Sequence, residues 1–371
     1  MRKKHFLFAS VLALLCGSST LHAQDFKLTS SGYFKNQGVD VMAFDDIYPE
    51  GHQGGVCIIM NGHRVATNGD IRLEATPGQW QPVPKQLDRK LGDNSITATL
   101  CYPDSSRHLT GFNPMIYPDL HLIYTVNVES KGKNIEVTVD LDRPIPQEFI
   151  GKVGFNLEFF PGSLFGKPWI MDGQSGIFPQ QPNSPLMTTQ PNYLHTGNYH
   201  DGKKSLADMD KLIGKGYSPI VADDIISEPY AKGTKFTSRP DDPYNKVTIE
   251  SLSGDLQLFD GRMNHNNGWF VLRSNIKPGV TKGAVKWIIT PNVVADWMYQ
   301  PVIQTSQIGY HPTQDKEAVI EMDIRDNRKE TAQIIRIDAD GEKVVKNVTP
   351  ANWGKFLRYN YLKVDFTDVK E

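Results

Sequence analysis

Apolar and polar residues alternate with a period of two along much of the chain. In Leu120-His121-Leu122-Ile123-Tyr124-Thr125-Val126-Asn127-Val128 the even positions form a nearly unbroken apolar face. In Ile135-Glu136-Val137-Thr138-Val139-Asp140-Leu141 the odd positions do the same. Lys131-Gly132-Lys133-Asn134 supplies a turn between them, so the pair predicts a hairpin. Further strands are predicted at 247–249, 256–259, 269–272 and 284–290. One segment has helical spacing instead: Ser205 and Asp208 form its cap, Leu206, Met209 and Ile213 share a face, and Gly214 and Gly216 stop it. The expected fold class is mainly β, with a large β-sandwich-type module at its centre. Between Phe160 and Tyr199 the period gives way to Pro161-Gly162, Lys167-Pro168, Phe178-Pro179 and Gln181-Pro182-Asn183-Ser184-Pro185. So long a stretch without periodicity predicts binding loops or a covering laid over a sheet.

The texture changes near Gln300-Pro301. Short strand-like runs follow at 318–322, 332–337 and 361–366, with Asp340-Gly341 as a hairpin turn. This spacing predicts part of an immunoglobulin-like β-sandwich, which usually takes ~100 residues and about seven strands. The expected organisation is a leader over 1–23, a large β-rich module over 24–303, and an incomplete immunoglobulin-like sandwich over 304–371, cut about two strands short.

The leader reading rests on Arg2-Lys3-Lys4 ahead of an apolar run at 6–15, then Leu21-His22-Ala23. That run falls short of the ~20 residues a bilayer needs, so it predicts a signal peptide cleaved near Ala23. The mature chain is expected to be exported, periplasmic or extracellular. Cys16 offers a lipoprotein alternative, against which the bulky Leu14-Leu15 pair argues. Cys57 and Cys101 remain after cleavage. Export permits a disulfide between them, and two separate buried thiols are the other reading. The formal charge of the 371-residue chain is −2, with 22% charged and 39% hydrophobic residues. That balance excludes the basic footprint of a nucleic-acid binder and a polybasic membrane patch, and leaves neutral or weakly polar partners such as carbohydrate.

Two carboxylates stand out as candidate catalytic groups. Glu158 lies in the apolar run Phe155-Asn156-Leu157-Glu158-Phe159-Phe160, where desolvation would raise its pKa toward acid duty. Asp172 lies in Trp169-Ile170-Met171-Asp172-Gly173. The competing readings are a Glu158 paired with a buried arginine or on the outer face of a strand, and an Asp172 that starts a turn. The doublets Asp45-Asp46 and Asp223-Asp224 lack the spacing of a calcium loop. His52, His63, His195 and His200 are scattered, and only His195 and His200 suggest a loop clamp. No metal site and no cofactor is predicted. Five aromatics, Trp80, Trp169, Tyr193, Tyr199 and Trp269, lie in or beside Gly/Pro/Asn-rich loops. A flat ring there offers area to the C–H face of a sugar, so these are candidate carbohydrate-binding residues, with burial under the loops as the alternative.

The carboxy-terminal segment carries a resemblance. Ser306-Gln307-Ile308-Gly309-Tyr310-His311-Pro312, followed by Lys316-Glu317-Ala318-Val319-Ile320, resembles the opening of the immunoglobulin-like domain that precedes the catalytic module in glycoside hydrolase family 9 cellulases. Phe356-Leu357-Arg358-Tyr359 and Val364-Asp365-Phe366-Thr367-Asp368 resemble its later strands. The motif positions are Gln307, Gly309, Tyr310, Pro312, Asp365 and Phe366. The resemblance implies that 24–303 corresponds to the long amino-terminal region of some secreted Bacteroidetes-type enzymes of that family. The family's catalysis uses a helical barrel with an Asp-Ala-Gly-Asp motif and a distant Glu; this sequence contains neither the motif nor a barrel pattern. Three functions follow. The chain is the non-catalytic portion of an exported β-glucan-degrading inverting hydrolase, with a barrel missing in cis; or a stand-alone glycan-binding protein; or a carbohydrate-active enzyme whose large module carries Glu158 or Asp172.

Overall fold

The computed structural model describes residues 25–45, 54–74, 77, 84–102, 120–182, 227–263 and 268–370. The predicted helix at 205–214 and the leader lie outside them. The chain opens with β1 (Lys27–Leu28), β2 (Phe34–Asn36), β3 (Val39–Ala43), β4 (Val56–Met60) and β5 (His63–Leu73). Next come β6 (Lys85–Leu91), β7 (Ser95–Tyr102), β8 (Leu122–Lys131) and β9 (Asn134–Leu141). The hairpin read from the alternation is β8–β9, closed by Lys131 opposite Asn134. Then follow β10 (Val153–Phe159), β11 (Pro168–Met171), β12 (Gln174–Ile177), β13 (Ala231–Gly233), β14 (Lys235–Ser238), β15 (Val247–Ser251), β16 (Leu256–Asp260), β17 (Phe270–Asn275) and β18 (Val285–Pro291). The last group is β19 (Val302–Gln304), β20 (Glu317–Asp323), β21 (Ala332–Asp338), β22 (Gly341–Val348), β23 (Ala351–Phe356) and β24 (Tyr359–Asp365).

Two nine-stranded antiparallel sheets pack face to face. The front sheet runs β1-β2-β3-β4-β5-β10-β17-β16-β13, and the back sheet β12-β11-β14-β15-β18-β9-β8-β7-β6. Phe155 of the front sheet meets Trp287 of the back sheet edge to face, with centroids 5.0 Å apart. Trp287 donates its indole N–H to Ser274 Oγ at 3.0 Å, which satisfies its one polar atom inside the core. Phe159 meets Phe236 in the same way at 5.8 Å. The fold is a β-sandwich. Within the segment expected to be aperiodic, β11 and β12 form a hairpin at the back sheet's edge, a correction to the loop reading of that stretch.

The two sheets differ in what lies outside them. Strands β7 and β9 alternate buried and half-buried, the signature of one wet face. Strands β3, β4 and β10 are buried at every position. The front sheet therefore has an outer face that is covered as well. At the β3–β4 end that face carries an apolar cluster of Tyr33, Met42, Cys57 and Ile59, with Leu357 packed on them, beside the buried Asp40.

Strands β19-β20-β24-β23 form a four-stranded sheet and β21-β22 a hairpin, both apart from the large sandwich. The tip between β23 and β24 reaches the front sheet. Leu357 takes a left-handed φ of 51° there, and Arg358 Nη1 lies 3.5 Å from Asp40 Oδ2. The family-motif residues make a local clasp. Tyr310 Oη donates to the Glu317 carbonyl at 2.6 Å and accepts from Ser306 N–H, and its ring meets Phe366 at 5.1 Å. Gly309 supplies the left-handed φ of 81° that turns the chain into the clasp. Lys316 Nζ donates to the Pro312 carbonyl, Asp365 Oδ1 accepts from Thr367 N–H, and Gln307 is exposed. No helix among the described residues is long and apolar enough to cross a membrane.

Candidate functional site

The two cysteines lie on different sheets and are not bridged. Cys57 sits in the apolar cluster outside the front sheet, while Cys101 is half-buried on β7 of the back sheet, at the positions that alternate with its core residues. The sandwich core separates them, which corrects the disulfide reading. Trp169 is a further correction: it is buried in the core, and Gly176 opposite leaves room for its ring, a Cβ there meeting the indole at 2.5 Å. Asp172 is exposed at a φ of 48° and accepts N–H bonds from Thr234 at 2.8 Å and Lys235 at 3.0 Å. It ties β11 to β14 and closes a turn. Trp80, Tyr193 and Tyr199 lie outside the described residues, as do His52, His195 and His200.

Glu158 is different. Phe155, Leu157 and Phe159 of β10 face the core, so Asn156 and Glu158 project from the outer face of the front sheet. Arg273 of β17 pairs directly with Asn156 and shares that face. On the other side β5 carries a bulge: Asn156 opposes Asp70 and Glu158 opposes Thr67, leaving one extra residue on β5. Asn68 occupies the bulge at a φ of 55°, a conformation that asparagine tolerates better than most residues. Three central strands thus deliver polar side chains to one buried patch.

The hydrogen bonds fix the orientation of each group. Asn68 Nδ2 donates to Glu158 Oε2 at 2.5 Å. Asn68 Oδ1 is buried without a hydrogen-bond partner, although Asn68 is only 8% exposed. Asn156 Nδ2 donates to Glu74 Oε1 at 2.5 Å. Arg273, 1% exposed, donates from Nη1 to Asn156 Oδ1 at 2.9 Å and to Glu74 Oε1 at 3.3 Å. Its Nη2 donates to the carbonyls of Glu74 and Lys152, and its Nε to Asn275 Oδ1 at 2.7 Å. Every face of that guanidinium is engaged, so Arg273 is a fixed cation that orients Asn156 and Glu74.

The carboxylates of this patch are tuned by burial. Burial pushes Glu74 up to about 7 against the opposing pull of Arg273. Asp70, which accepts from Tyr124 Oη at 2.9 Å, is pushed up by burial to about 6, with Arg72 pulling the other way. Burial disfavours the charge of Arg72, but Asp70, Glu158 and Glu74 outweigh it and hold its pKa above the ordinary value. Groups that titrate near neutrality beside a carboxylate with an oriented amide are equipped for proton transfer.

An aromatic pair closes one end. Beyond Glu158 and Val271, Phe160 and Trp269 meet edge to face at 4.5 Å, both half-buried where Phe159 and Phe270 on the core side are fully buried. Trp269 is therefore the one aromatic candidate among the described residues that stands beside a candidate acid. Glu158 and Trp269 are candidates the sequence offers, whereas Asn68, Asn156, Glu74 and Arg273 emerge only from the strand pairing. Their only linear signal is polar residues inside strand-like runs. Among the described residues no group of three His, Cys, Asp or Glu side chains is placed to hold a metal ion.

No protein-family model and no curated protein matches the chain. Among solved structures, it is similar to the galactose mutarotase-related enzyme of Lactobacillus acidophilus at 9% identity and a TM-score of 0.30, over 71% of this chain and 98% of that one. It is similar to heparan sulfate lyase HepC of Pedobacter heparinus at 12% identity and a TM-score of 0.27, over 81% of this chain. The chain spans only 41% of the lyase. Neither similarity carries an assignment of activity.

Proposed function

We propose that the chain is a carbohydrate-processing protein that takes a glycan at the half-buried Trp269 end of the front sheet's covered outer face, with Glu158 as the proton-transfer group. The observation that carries this reading is Asn68. Its amide nitrogen is committed to Glu158, and its buried carbonyl oxygen lacks the donor that buried polar atoms ordinarily have. A sugar hydroxyl supplies such a donor, and the half-buried Trp269 offers a ring for a C–H face. In this reading Glu158 gives its proton to the glycosidic oxygen as that oxygen's bond to the anomeric carbon breaks, water adds to the anomeric carbon and releases a proton to solvent, and the Asn68 N–H stabilises the carboxylate left behind. Glu74, near neutrality, and Arg273 set the field around it.

The cellulase-type resemblance of 306–368 makes β-1,4-glucan the first substrate to test. That same resemblance supports a second reading, in which these modules position a catalytic barrel on a β-glucan; the clasp of Tyr310, Glu317 and Phe366 gives the motif a structural role consistent with it. The deciding experiment measures new reducing ends from carboxymethylcellulose and a panel of soluble polysaccharides. Glu158→Gln should abolish release while retaining binding in affinity electrophoresis, and Trp269→Ala should weaken binding. Release unchanged in Glu158→Gln, or no release from any glycan with binding intact, would refute the catalytic reading and leave the positioning one.

A further inference from the structure

A cavity of about 420 Å³ lies where the large sandwich meets the carboxy-terminal strands. Its floor is one rung across four front-sheet strands, Lys27 opposite Lys35, Lys35 opposite Asp40, and Asp40 opposite Ile59. Its roof carries Trp297, Tyr299 and Tyr359, with ring centroids 6.2 and 5.1 Å apart in succession. Two hairpin glycines fix that roof. A Cβ on Gly38 would meet the Trp297 ring at 2.7 Å, and one on Gly62 would meet Tyr299 at 2.6 Å. The rings are therefore seated against tight turns, preorganised rather than adaptable.

The charges in the cavity are unevenly satisfied. Arg325 is bound by Asp323, with Nε 2.8 Å from Oδ1, and Arg358 faces Asp40 at 3.5 Å. Lys27 and Lys35 are left facing each other directly across β1 and β2. No carboxylate among the described residues makes an ion pair with either, although Lys35 feels the field of Asp40. Like charges directly opposite on adjacent strands destabilise a sheet. Both side chains line the cavity beside an aromatic wall of the right extent for a pyranose ring.

We infer that this joint is a binding site for an anionic sugar, whose negative group lies between Lys27 and Lys35 while its ring packs on Trp297 and Tyr299. The shared chemistry is a pyranose bearing a carboxylate or a sulfate. The site is separate from Glu158 and goes beyond the reading proposed for that residue.

The test is calorimetric titration of the full chain with three probes: a galacturonate disaccharide, a sulfated disaccharide and neutral cellobiose. At least one acidic probe should bind, and Lys27→Ala and Lys35→Ala should each weaken it about tenfold, the scale of a lost charge-assisted contact. Which acidic probe binds separates uronate from sulfate. Thermal melts should show both variants folded at or above the wild-type midpoint, because each removes a like-charge contact. Glu158→Gln should leave this binding unchanged, so failure at one site is distinguishable from failure at the other. Cellobiose binding as tightly as both acids, binding indifferent to the lysine variants, or no binding by any probe would overturn the inference.

Discussion

Replacing Arg273 by methionine should destabilise the chain in a way that depends on pH, and the shape of that dependence tests the account of the buried patch. The guanidinium serves Asn156, Glu74, Asn275 and two backbone carbonyls while 1% exposed. Removing it deprives Asn156, Asn275 and two buried carbonyls of this donor, at about 1–3 kcal/mol for each group left unsatisfied, at every pH. Glu74, whose ordinary value is 4.5, titrates at about 7 in the fold because burial outweighs Arg273. A carboxyl raised on folding contributes stability that is fully present below its unfolded value. That contribution is lost as pH rises through its folded value. Between 4.5 and about 7 wild type and variant should therefore lose stability in parallel, each folded form holding a proton that the unfolded carboxyl has released. Above about 7 the wild type stops losing, whereas the variant, its Glu74 pushed higher still, continues at ~1.4 kcal/mol per pH unit. Urea unfolding followed by tryptophan fluorescence at intervals from pH 5 to 8.5 reads the gap directly. It should widen by about 1–2 kcal/mol between neutrality and the alkaline end, and the widening should vanish in an Arg273→Met, Glu74→Gln double variant. A gap that is constant over the range, or largest in acid, would refute the ion-pair account and reduce Arg273 to a packing residue.

Two further outcomes follow from packing. Gly38→Ala should lower the thermal midpoint, since a Cβ there meets Trp297 at 2.7 Å on a backbone at a φ of 68°; overpacking and left-handed strain together cost about 2–4 kcal/mol, and an unchanged melt would mean the joint is loose. The half-buried Cys101 should react with a thiol reagent in the native chain and Cys57 only on unfolding, so both should titrate in denaturant without reductant.

The alternating runs were legible because the back sheet is buried on one face only, so β7, β8 and β9 print their orientation into the sequence. Strand β10 does not, because the front sheet is covered on both sides and every residue from 153 to 159 is buried. That is why Glu158 reads as an acid in an apolar run although its apolar neighbours face the other way. Its partners are also distant along the chain: Asn68 is 90 residues away, and Asn156 and Arg273 are 117 apart. No local spacing can announce a site assembled by strand pairing. Trp169 misled for the opposite reason: Pro168 and Gly173 look like a loop, yet Pro168 only starts an edge hairpin, where a missing N–H is tolerated, and the ring turns inward.

The outer face of the front sheet differs from one end to the other. At the β3–β4 end an apolar cluster of Tyr33, Met42, Cys57 and Ile59 lies under Leu357, with Asp40 buried alongside against Arg358. A few strands along, the same face buries Glu158, Asn156, Asn68 and Arg273, and apolar residues of similar volume in such places commonly leave a protein as stable or more so. The polar end thus costs stability that an apolar cover of the same volume would not. Its bulged Asn68, with one amide atom committed to Glu158 and the other unpartnered, adds backbone strain and an unsatisfied acceptor to that cost. Packing alone gives no reason for such a set of residues in the middle of a sheet. The proposed recognition of a hydroxyl-rich ligand would supply one, because the donor that satisfies Asn68 then arrives with the ligand.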